Sequence, residues 1–96
     1  MKMLMILYTG DSPHLVPDLL IAGGDYPFTE FQDGIGKGEH NRHEGTRAFP
    51  GHTTMTVSVL PSEKAEAVAK KLVETAKTLP EPDRLHVAVM PVEKFQ

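Results

Sequence analysis

A chain of 96 residues, 40% hydrophobic and 24% charged, is expected to form one soluble domain over 1–96, with a core large enough to fold and little to spare. Self-association would help it. A net charge of −3 argues against a basic groove for nucleic acid or attraction to anionic membranes, and the lack of cysteine excludes disulfides, thiolate metal ligands and a cysteine nucleophile.

Met3 to Tyr8 is an apolar run closed by Thr9-Gly10, too short for a signal-peptide core, and it suits a buried, central strand. Nothing approaches the roughly 18 apolar residues of a membrane span, so a cytoplasmic protein that is not membrane-inserted is expected. Asp11 or Ser12 can cap a helix with Pro13 at its first position, and Leu15, Val16, Leu19 and Leu20 recur at helical spacing until Gly23-Gly24. Pro17 predicts that this helix is short or distorted. Tyr26 to Gln32 reads as a second strand, with Tyr26, Phe28 and Glu30 on one face and Thr29 and Phe31 on the other. Pro27 places it at a sheet edge or at its first ladder positions.

Thr53 to Leu60 alternates, with Met55, Val57 and Val59 on one side and Thr54, Thr56 and Ser58 on the other, as a half-buried antiparallel strand does. Ser62 is the expected N-cap of the clearest helix. Its apolar stripe runs through Ala65, Val68, Ala69, Leu72, Val73, Ala76 and Leu79, with Pro80 and Pro82 as its stop. Leu85, Val87 and Val89 then alternate with His86, Ala88 and Met90 in a last strand. The order β-α-β-loop-β-α-β is that of an α+β, ferredoxin-like βαββαβ sandwich, a four-stranded antiparallel sheet with two helices on one face. That fold assigns no function by itself.

Chemistry concentrates in the loop 34–52, expected to be flexible. It exceeds the roughly 12–15 residues beyond which a structureless connection is usually functional or disordered. Gly34, Gly36 and Gly38 around Lys37 could expose backbone N–H groups to an anion, or simply form a supple strand exit. His40, His43, Glu44 and His52, with Glu39 nearby, are compatible with zinc, copper, nickel or cobalt, although a solvated loop that happens to hold histidines accounts for them as well. Arg42, Arg47 and Phe49 have the arginine-plus-aromatic composition of interface hot spots, and Phe49 could equally fold back on the sheet. His14 and His86 read as structural histidines. The group Asp11, Ser12 and His14 is explained by a helix cap rather than by catalysis.

The junction Glu30-Phe31-Gln32-Asp33-Gly34-Ile35-Gly36-Lys37, and Val57-Ser58-Val59-Leu60-Pro61 running into the second helix, resemble the PII-like signalling family along nearly the whole chain. The resemblance implies a homotrimer of ferredoxin-like subunits that is not an enzyme. It would bind a small effector at intersubunit clefts near Gly34, Gly36, Lys37 and Gly38, and would control a partner protein, such as a membrane transporter or enzyme, through the 34–52 loop. Two departures redirect the expected ligand. Gly38 stands where typical members carry a glutamine that helps hold 2-oxoglutarate and magnesium. Thr78-Leu79-Pro80-Glu81-Pro82-Asp83-Arg84 replaces their glycine-rich phosphate loop. The chain also ends at Gln96, ahead of their basic tail. A divergent member is expected, without cooperative magnesium-dependent binding of ATP and 2-oxoglutarate; the cofactor is left open, and any adenine nucleotide would be bound weakly and in a form with few phosphates. The alternative is a transition-metal-binding protein of metal homeostasis that uses the loop histidines. A small enzyme with His86 or His52 as general base is a third reading.

Overall fold

A computed structural model of the chain describes residues 1–34 and 52–96. The elements are β1 (Lys2–Gly10), α1 (Leu15–Gly24), β2 (Thr29–Gly34), β3 (His52–Leu60), α2 (Ser62–Ala76) and β4 (Arg84–Pro91). All strand pairs are antiparallel, in the order β2-β3-β1-β4. This is the expected ferredoxin-like arrangement, with β1 central. Gly34 and His52 are strand residues, so the connection is 35–51 rather than 34–52.

The core lies between the sheet and both helices. Leu4, Ile6 and Tyr8 of β1 meet Val16 and Leu20 of α1, Ala65, Val68, Ala69 and Leu72 of α2, and Leu60 and Leu85. Val73, expected in the apolar stripe of α2, is instead 48% exposed. It lies at the margin of the stripe, beside buried Leu72.

Local chemistry moves each helix start from its expected place. Helix α1 begins at Leu15 with His14 at the N-cap and no side-chain cap bond, so the Asp11 or Ser12 cap does not form. The shift puts Pro17 third in the helix, where its missing N–H is one that the first turn leaves unpaired anyway. The helix ends beyond Gly24 on Asp25, a left-handed residue with φ 54°. Its N–H and that of Tyr26 close onto the Ile21 and Leu20 carbonyls, satisfying the end of the helix. Helix α2 has Pro61, not Ser62, at its N-cap, with the Pro61 carbonyl accepting the Ala65 N–H at 2.9 Å. It stops at Ala76, and Leu79 packs on the core from the following turn. Strand β2 begins at Thr29 rather than Tyr26, and ahead of it the Pro27 carbonyl accepts the Ser58 hydroxyl at 2.6 Å.

Strand β3 is oriented against expectation for a strand covered on one side. A half-buried strand ordinarily turns its apolar row to the core. Here Thr54, Thr56 and Ser58 lie buried under the helices, while Met55, Val57 and Val59 are on the bare side. Cross-strand register extends that bare surface in rows. Leu7 lies between Met55 and His86, with Phe31 beyond Met55; Met5 lies between Val57 and Ala88; Met3 lies between Val59 and Met90.

Candidate functional site

Antiparallel pairing brings the exit of β1, the end of β2, the start of β3 and the start of β4 to one end of the sheet. Gly10 faces His52, Thr9 faces both Thr53 and Arg84, and Gly34 faces Thr53. The roots of the 35–51 connection, the β1–α1 turn and the α2–β4 connection therefore converge. The Thr9 and Thr53 hydroxyls bond at 3.0 Å across the strands that lead into this end.

A buried tyrosine ties two of these connections together. Tyr8 is 2% exposed, and its hydroxyl accepts the Ser12 N–H at 3.0 Å while donating to the Asp83 carboxylate at 3.2 Å. Gly10 makes the junction possible. A Cβ there would lie 2.6 Å from the Asp83 carboxyl carbon and would also strike the Tyr8 hydroxyl. Sequence reading missed this centre, because Tyr8 appears only as the last residue of an apolar run. The available signal was the hydroxyl next to Thr9-Gly10, since a buried tyrosine normally finds a partner for it.

The α2–β4 connection offers few donors to an anion. Lys77, Thr78, Leu79 and Asp83 give their N–H groups to the carbonyls of Glu74, Thr75, Ala76 and Pro80, and Pro80 and Pro82 have none to give. The Glu81–Pro82 bond is cis. Arg84 curls back onto Glu81 at 3.2 Å and onto the Pro82 and Asp83 carbonyls. Among the described residues the exposed cation at this end is thus engaged through its Nη1, and Asp83 presents a carboxylate tethered by Tyr8.

Of the residues named for ligand binding, Gly34 closes β2 and is exposed. Gly36, Lys37 and Gly38, the partner-binding set Arg42, Arg47 and Phe49, and the metal candidates His40, His43 and Glu44 lie outside the described residues. His52 opens β3 at the loop root. Among the described residues no three of His, Asp and Glu come together as a metal site. His14 is exposed at the head of α1, and His86 is exposed on the bare sheet face next to Leu7. Neither ring is hydrogen-bonded among the described residues, so the structural-histidine expectation is not met for either. No helix among the described residues is long and apolar enough to cross a membrane.

No protein-family model matches the chain, and no curated protein matches it in sequence. Solved structures do match. CPII from Thiomonas intermedia K12, bound to ADP, AMP and acetate, superposes with a TM-score of 0.59 at 16% identity over 97% of this chain and 90% of that one. The same protein bound to ADP and bicarbonate gives 0.59 at 18% over 98% and 91%. Its apo form, described as a nitrogen regulatory PII-like protein, gives 0.58 at 15% over 96% and 92%. Identity this low speaks to fold alone. The resemblance carried by the β2 junction and the β3–α2 boundary is thus met in three dimensions, and the chain has the fold of a PII-like protein along nearly all its length.

Proposed function

We propose that the chain is a non-enzymatic PII-like regulatory protein. It assembles as a homotrimer through the bare sheet face, binds a small effector at the loop end between copies, and controls a partner protein, a transporter or an enzyme, through residues 34–52. The observation that carries this reading is the convergence of three connections at one end of a sheet whose uncovered face is apolar. Exposed apolar surface of this extent marks an interaction site, and a core built on one side of the sheet in so short a chain gains from association. Gly34, Gly36, Lys37 and Gly38 would hold the effector, and Arg42, Arg47 and Phe49 would meet the partner. Effector binding would select the loop arrangement that the partner recognises.

An adenine nucleotide with few phosphates fits the loop end best. The like-folded CPII binds ADP and AMP. In this chain Asp83 and Glu81 border the site, and among the described residues the α2–β4 connection leaves only the Glu81 N–H unclaimed between Lys77 and Asp83. Each added phosphate brings charge that these acids oppose. Equilibrium dialysis of AMP, ADP and ATP with magnesium, each with and without 2-oxoglutarate, tests this. The expected order is AMP and ADP above ATP, with no gain from 2-oxoglutarate. Micromolar ATP binding strengthened by 2-oxoglutarate would overturn it. Light scattering tests the assembly: the wild type is expected to be a trimer, and Val57→Lys a folded monomer. A wild-type monomer at micromolar concentration removes the trimer.

A further inference from the structure

We infer that His86 makes the assembly acid-labile, an inference that rests on the association through the bare face proposed above. Among the described strand side chains of β1, β3 and β4 on that face the ionisable ones are His86 and Arg84, and they stand together at the loop end of β4. Arg84 is occupied by Glu81 and by two backbone carbonyls. Among the described residues His86 has no such partner. Its neighbour across the ladder is Leu7, 41% exposed, and the adjoining positions on β1 are Met5 and Thr9, none of them a carboxylate. The helices pack on the opposite face, so no carboxylate of α1 or α2 reaches the ring from that side.

An imidazole in this setting is tolerated while neutral. Once protonated it would carry a charge into contact with methionine and leucine side chains of a neighbouring copy, where desolvation disfavours it. Cyclic symmetry adds to the effect. Every copy presents the same residue at the same height along the axis, so charging His86 brings like charges into one ring. In the isolated chain the ring is exposed to water. Acid should therefore favour separated subunits, with the fold itself intact.

Sedimentation analysis of the full chain between about pH 8 and about pH 5.5 tests this, over the range in which far-ultraviolet circular dichroism stays constant. The wild type is expected to associate about tenfold or more weakly at the acidic end. His86→Gln and His86→Leu should hold their association to within about threefold, and His14→Gln should behave as wild type. Two substitutions of different polarity guard against one that fails to fold. Equal weakening in both His86 variants, or no weakening in the wild type, overturns the switch and leaves the assembly standing. A wild-type monomer at about pH 8 overturns both.

Discussion

Along β3 the two faces of this sheet invert the usual relation between polarity and burial. On β3 the hydroxyl row Thr54, Thr56 and Ser58 is shut beneath the helices, while the methionine and valine row stands on the uncovered side. On β1 both rows are apolar, with Leu4, Ile6 and Tyr8 in the core and Met3, Met5 and Leu7 opposite. A sheet that needed only its helices would place polar side chains on the bare face. The difference therefore separates two faces of one sequence: the covered face holds the fold, and the bare face carries an apolar row that the helices leave uncovered.

The comparison is broken most severely on the covered face. Ile6→Ala removes a fully buried side chain at the centre of the core and should cost about 2–5 kcal/mol in urea unfolding. A loss no larger than that of Met5→Ala, one residue away on the other face, would erase the distinction. Tyr8→Phe is next in size. It leaves the Asp83 carboxylate and the Ser12 N–H without their shared partner and should cost about 1–3 kcal/mol by the same measurement.

The hydroxyl row sharpens the contrast within a single strand. Ser58 donates to the Pro27 carbonyl at 2.6 Å, so Ser58→Ala should cost about 1 kcal/mol, read from the denaturant midpoint. Thr56 is fully buried, and its hydroxyl has no partner among the described residues. Thr56→Val keeps the shape and removes a desolvated polar atom, so its effect should lie near zero or be stabilising by up to about 1–2 kcal/mol. A destabilisation equal to that of Ser58→Ala would mean that the Thr56 hydroxyl is satisfied in solution.

Most of this architecture is legible in the sequence, because its signals are local. The stripe Ala65, Val68, Ala69 and Leu72 and the alternation through β3 and β4 each report a period set by backbone geometry. What local signals do not report is which side of a strand is covered. Alternation reveals two faces of β3, but which of them lies under helices depends on register with β1 and β2, a long-range property. Helix starts slip for a related reason. Asp11, Ser12 and Ser62 are all competent caps, yet Pro17 at the third position and the Pro61 carbonyl decide where the turns begin. The Tyr8 centre escapes because its partners lie 4 and 75 residues away. The loop chemistry is conspicuous in composition, but most of it falls in 35–51, outside the described residues.

The Tyr8 hydroxyl also has a dynamic consequence. The amide proton of Ser12 sits in a turn that would ordinarily exchange with solvent quickly, yet it is held by an oxygen belonging to a core side chain. Its release requires either that the tyrosine ring leave the interior or that the turn peel away from the end of β1. Ser12 should then exchange on the slow timescale of β1 and not with its neighbours in the turn. The β1–α1 turn, the end of β1 and the Asp83 corner, joined through this one hydroxyl, should accordingly open together.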